Sequence, residues 1–293
     1  MSAPRRRRRT TPRNRAGTPR LLRWPRRATR QRWLRRLRQL RRAPVALRLL
    51  IGVLLVAGVA LAVNGVYQVV RKPTELFFPV SGVLAKTPQE SWREYGPAFR
   101  RYATPAIAPE LLAALAQVEG SGNPLVRTYW RWSWAPGLFD LYRPASSAVG
   151  MYQITDGTFA EARHYCIHHH ALMHEGAWHD WHSCWFNGLY LRIVPRDAIE
   201  LTAAYLDLKV NAILASDRRN EASVLQRQHL AAVVHLCGAG AAAGYARRGF
   251  RFADGEHCGA HDPREYLRRV DEMHGVFTRL ARADEDDATS ALQ

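Results

Sequence analysis

Between Leu49 and Val63 the chain reads LLIGVLLVAGVALAV, fifteen residues without a charge, and a softer run continues through Asn64, Gly65 and Gln68 to Val70. As a helix, residues 49–70 would extend about 33 Å, close to the hydrocarbon thickness of a bilayer. Arg48 at its start would snorkel back to the headgroups. Everything before it is basic: residues 1–48 hold nineteen arginines and no acid. A buried core helix gives no reason for that asymmetry. A membrane anchor does, because basic flanks stay on the cytoplasmic side. Arg35, Arg36, Arg38, Arg41, Arg42 and Arg48 precede the run, and only Arg71 and Lys72 closely follow it. One transmembrane helix over residues 43–70 is therefore expected, with the N-terminus cytoplasmic and residues 71–293 on the far side. A cleaved signal competes with this reading, since Ala60-Leu61-Ala62 has the small-x-small form of a peptidase site. A basic region of about forty residues is abnormally long for such a signal, which favours the anchor.

The formal charge of +18 belongs to the tail, because after residue 48 only 24 basic residues face all 25 acids. The far-side domain is close to neutral, so the charge says little about its substrate. In the tail (residues 1–42), Trp33, Leu34, Leu37 and Leu40 recur at helical spacing among arginines, a pattern suited to lying on anionic lipid. Nucleic-acid binding is the other use of such a stretch, but no groove-reading motif accompanies it.

All four cysteines, Cys166, Cys184, Cys237 and Cys258, and all twelve histidines follow the apolar run. An even count in an exported segment reads as two disulfides, and local pairing is the simplest of three connectivities. His164/His168 and His170/His174 have the i, i+4 spacing that on a helix would chelate. Zinc sites usually show tighter pairs, so neither a metal nor a cofactor is expected.

Residues 71–95 contain Pro73, Pro79, Gly82 and Pro88 and read as a linker. A mainly α-helical domain over 96–282 should follow, then an acidic disordered tail over 283–293. Its helices are expected at Pro109–Glu119, from Thr155, over Asp197–Ala215, from Glu221 to about Leu236, and over Pro263–Arg282. The last carries Tyr266, Leu267, Val270, Met273, Phe277 and Leu280 on one stripe. The insert over 125–145 is rich in tryptophan, including Trp130, Trp132 and Trp134. These rings would stack on sugar faces, form a core hairpin or sit at the bilayer interface.

Glu119 lies seven residues after Leu112 and four after Leu115, on the helix's apolar face. A carboxylic acid placed there loses hydration, which favours its protonated form and suits a general acid.

Glu119-Gly120-Ser121-Gly122-Asn123-Pro124 resembles the E-S-x-x-N-P element of the soluble-lytic-transglycosylase-like family, within the lysozyme-like superfamily. Ser147-Ala148-Val149-Gly150-Met151-Tyr152-Gln153-Ile154 is similar to that family's G-A-x-G-L-M-Q-I segment, and Thr158 follows it. Val234-His235-Leu236-Cys237-Gly238-Ala239-Gly240 stands where A-A-Y-N-A-G is expected, and Glu265–Val270 resembles the Y-V-x-x-V helix. The resemblance spans about residues 105–275. It implies a lysozyme-like fold that cleaves peptidoglycan glycan strands. Together with the anchor expected from the apolar run, this would place the domain in the periplasm, held at the bacterial inner membrane. Glu119 would be the single acid/base. Ser147, Gln153 and the backbone at Met151 and Tyr152 would line the sugar groove, and Tyr266 would orient the glutamate. Gly120 replaces the family's serine, and Cys237 and Gly238 replace its Tyr and Asn. Two alternatives stay open: a water-using muramidase with Asp140, Asp156 or Asp180 as second carboxylate, and an inactive peptidoglycan-binding module.

Overall fold

The computed structural model describes residues 43–77, 82–133, 140–177, 179–180, 183–216 and 222–290. The arginine-rich tail, with its Trp33 to Leu40 pattern, lies outside them, as do Trp134 and residues 291–293. The chain divides into two compact units, residues 1–60 and 61–293.

Helix α1 spans Val45–Arg71, starting in the first unit and ending in the second. From Leu49 to Val63 its large apolar side chains are mostly exposed, and it is long and apolar enough to cross a membrane. Its last turns behave differently. Asn64 and Gln68 are buried: Asn64 Nδ2 donates to the Tyr142 carbonyl at 2.6 Å, and Gln68 Nε2 to Asp140 at 3.2 Å. The polar residues that interrupt the apolar run therefore fasten the end of α1 to the domain that follows.

The segment expected to be a linker is structured. A 3-10 turn, Pro73–Phe77, drives Glu75 into the protein, 1% exposed at its side chain. Glu75 lies 3.2 Å from both Lys72 Nζ and the Arg127 guanidinium, and accepts from the Trp130 indole at 2.8 Å. Helix α2 (Pro88–Tyr102) begins inside the expected linker as well. Pro88 does not break it, because proline suits the first helical turn, and a Thr87/Glu90 capping box satisfies the free amides there.

Helices α3 (Pro109–Gly120), α4 (Asp156–Ala162), α5 (Pro195–Ser216), α6 (Val224–Arg247) and α7 (Pro263–Ser290) complete the helical set among the described residues. One core unites them through Phe99, Leu111, Leu112, Leu115, Ile199, Leu206, Leu230 and Phe277. Helix α6 would also pass as a membrane span by length and composition, but its Leu230–Val234 stretch is core. Helix α3 packs against α2 and α7. On α7 the predicted stripe is inward: Tyr266, Leu267, Val270 and Phe277 are buried. That helix also runs on through residues 283–290, where a disordered tail was expected. Asp284 explains part of this, accepting from the Trp92 indole at 2.9 Å and pairing with Arg100 at 3.3 Å.

Strands are few. Trp130–Trp132 (β1) and Tyr142–Pro144 (β2) form an antiparallel hairpin ladder with Arg131 opposite Arg143. Tyr165–His168 (β3) and Ala171–His174 (β4) form another, turning at His169 and His170, both with φ in the left-handed region. The histidine-rich segment is thus a hairpin and not a helix, so the i, i+4 spacings lose the helical turn that would bring each pair together. Both disulfides are local, Cys166–Cys184 and Cys237–Cys258.

Candidate active site at Glu119

Glu119 occupies the last turn of α3, one turn beyond the fully buried Leu115. Its side chain keeps 18% exposure, so the carboxylate is largely withdrawn from water yet reachable. The chain leaves the helix through Ser121 in the left-handed conformation, whose amide satisfies the Gln117 carbonyl.

Gly120 has a steric reason. A Cβ built there would lie 2.8 Å from both Cα and O of Met151, so the 147–154 loop presses its backbone directly onto the end of α3. The close approach of the two backbones therefore leaves room for glycine and for no larger residue without a shift. Gly150, with φ of +78°, is fixed in the same way: a Cβ there would meet the Arg192 carbonyl oxygen at 2.3 Å.

Two side chains converge on the carboxylate. The Tyr266 hydroxyl, on α7, donates to Glu119 Oε1 at 2.6 Å. His235, on α6, places Nε2 3.8 Å from the same oxygen, with its side chain 12% exposed. Burial, then the neighbouring Glu119 carboxylate, holds the Tyr266 phenol well above its ordinary range, so it stays a proton donor. Burial likewise pushes the His235 imidazole below its ordinary value, against the opposing pull of Glu119. Near neutral pH the ring is uncharged. Among the described residues no lysine or arginine pairs with Glu119, and Oε2 makes no hydrogen bond. One carboxylate oxygen is held by a neutral donor, and the side chain keeps part of its surface open to solvent.

The remaining sequence-predicted residues divide. Met151 and Tyr152 have fully buried side chains, and the Tyr152 hydroxyl donates to the Leu112 carbonyl at 3.0 Å. Tyr152 also meets the His235 ring edge-on, 6.4 Å between centroids. Both residues thus support the Glu119 helix from behind. Gln153 spends its amide on main-chain carbonyls, Gly150 at 2.9 Å and Val126 at 3.3 Å, and so braces its own turn. Ser147 accepts from the Asp156 amide at 3.1 Å and lines a cavity that does not include Glu119.

His235 was not singled out from the sequence, although it stands in a quoted motif. The available signal was a lone histidine closing the apolar run LAAVV on α6. Cys237, two residues on, ties α6 to Cys258 beside the kink where Gly238 takes φ 79° and ψ 167°. The disulfide thus anchors α6 at the point where its helical path is interrupted, one turn from His235.

Asp140 is held by Gln68 and lies 3.9 Å from Arg71, and Asp156 pairs with Arg192 at 2.8 Å. Among the described residues no group of three or more histidine, cysteine or acidic side chains is arranged to hold a metal ion. Compared with protein-family models and with curated proteins, the chain has no match.

Proposed function

We propose that the protein is a membrane-anchored peptidoglycan lytic transglycosylase, with α1 crossing the bacterial inner membrane and the Glu119 domain on the periplasmic side. The observation that supports this reading best is the carboxylate of Glu119, gripped at Oε1 by Tyr266, with no second acid paired to it among the described residues.

Hydrolysis of a glycosidic bond normally employs two carboxylates, one as acid and one to direct water or attack the sugar. A single carboxylate suffices when the substrate supplies its own nucleophile. Glu119 then delivers its proton from Oε2 to the leaving glycosidic oxygen as the bond to the muramyl C1 breaks. The same oxygen next takes the proton from the muramyl 6-hydroxyl as that oxygen bonds to C1. The proton count closes, no water is consumed, and a 1,6-anhydromuramyl end remains. Tyr266 fixes the carboxyl plane through Oε1, leaving Oε2 to do both transfers. The neutral His235 adds no fixed cation beside the carboxylate.

Product analysis tests the reaction class. The full chain in detergent, incubated with purified sacculi, should release muropeptides that carry anhydromuramyl ends by mass spectrometry. Reducing ends without anhydro rings would instead identify a water-using muramidase. Binding to sacculi without turnover would identify an inactive module.

A further inference from the structure

A cavity of about 610 Å³ opens between the end of α1 with its following turn and the β1–β2 hairpin. Arg71, Lys72, Arg131, Arg143 and Arg192 all line it, against Asp156 alone among acids. Three of these cations are already matched. Arg71 lies 3.9 Å from Asp140, Lys72 3.2 Å from Glu75, and Arg192 2.8 Å from Asp156. Two are left over. Among the described residues no carboxylate pairs with Arg131 or Arg143.

Those two face each other directly across the ladder, residue against residue. Like charges in that position repel and weaken a strand pair, so the protein keeps an unfavourable arrangement in a hairpin of only three residues per strand. An anion shared between two guanidiniums turns that repulsion into two charge-assisted contacts, and phosphate oxygens match guanidinium geometry.

The surroundings indicate the source of the anion. Arg71 is the last residue of the apolar helix. Around the cavity Val70, Leu76, Tyr129 and Trp132 are each more than 60% exposed, and Phe77, in its lining, is 41% exposed. Aromatic and apolar side chains beside the end of a membrane span are what the headgroup layer receives. Phe77, Phe159 and Ile193 give the cavity apolar wall beside its cations, suited to a glycerol backbone.

We propose that this cavity binds the phosphodiester headgroup of an anionic phospholipid, clamped between Arg131 and Arg143. The site rests on the reading that α1 crosses the bilayer, and it would hold the domain at a fixed height and orientation over the membrane.

The test is thermal unfolding of the full chain in a neutral detergent. It is titrated with short-chain phosphatidylglycerol, with phosphatidylcholine of the same chain length, and with inorganic phosphate. Phosphatidylglycerol should raise the melting temperature saturably, by about 5 °C, and the other two should not. Arg143→Gln should melt no lower than wild type without lipid, because the repulsion is relieved, and should lose the response to phosphatidylglycerol. An undiminished response in Arg143→Gln and in Arg131→Gln would overturn the site. A response to inorganic phosphate equal to that for the lipid would overturn the lipid as its ligand, and no response at all would overturn both. Alkaline extraction of membranes tests the anchor separately: a chain released by it removes the membrane reading, while the lipid titration still decides the site.

Discussion

The Glu119 site and the cavity beside the β1–β2 hairpin use charge in opposite ways. At Glu119 one ionisable acid touches partners that stay neutral, Tyr266 and His235, and among the described residues no lysine or arginine pairs with it, Arg269 lying instead over the Tyr266 ring, 5.8 Å from its centre. At the cavity five cations gather, three carboxylates neutralise three of them, and two arginines are held face to face. A group that must gain and lose a proton is served by neutral neighbours, which favour neither state by a full charge. A surface that must hold an anion is served by surplus positive charge in a fixed frame. A near-neutral domain thus contains two electrostatically specialised regions, neither of which its net charge reveals.

That contrast can be broken at either end. The largest effect is expected from Gly120→Ser. The added side chain meets the Met151 backbone, and overpacking of this kind costs about 3 kcal/mol, which a chain of this size shows as a fall of about 10 °C in melting temperature. Glu75→Gln should come close behind. Glu75 is the buried carboxylate between Lys72, Arg127 and Trp130, and removing one charge of such a set costs about 3 kcal/mol. Here the loss should be local, read as faster amide exchange and proteolysis around residues 72–77 with the Glu119 site still protected.

Tyr266→Phe should leave the fold intact and lower turnover roughly 10- to 100-fold, the worth of one hydrogen bond to a carboxylate, without a matching change in sacculus binding. The smallest effect concerns pH. The folded imidazole of His235 titrates below its ordinary value of 6.5, so under that pH the unfolded chain binds a proton that the folded chain resists. Its contribution is complete above pH 6.5 and declines as the pH falls toward the lower folded value. His235→Gln should therefore flatten the acid limb of melting temperature against pH, a difference absent at pH 8.

Much of the helical plan was legible because periodic apolar spacing survives folding. The stripe from Tyr266 to Leu280 pointed inward as read, and Glu119 took its place on the apolar face of α3. The local disulfides followed from the simplest pairing. What was not legible depended on distant partners. Pro73 and Pro88 read as breakers, yet one opens a turn that buries Glu75 and the other starts α2. Residues 283–290 are acidic and solvated in sequence, but Asp284 finds Trp92 nearly two hundred positions away. Asn64 and Gln68 looked like the soft end of a membrane run, and their role appears only once Tyr142 and Asp140 are beside them. His235 carried no local pattern beyond a lone polar residue after an apolar stretch, because the group that gives it meaning lies on another helix.

If one carboxylate carries the chemistry, replacing it should abolish the reaction and leave the rest of the protein in place. Glu119→Gln keeps the shape of the side chain and an oxygen for Tyr266 to bond, but removes the transferable proton. Measured as anhydromuropeptides released from sacculi by the full chain in detergent, its activity should fall to background, with melting temperature and sacculus binding unchanged. Release at the wild-type rate by Glu119→Gln would mean that this carboxylate does not carry the reaction.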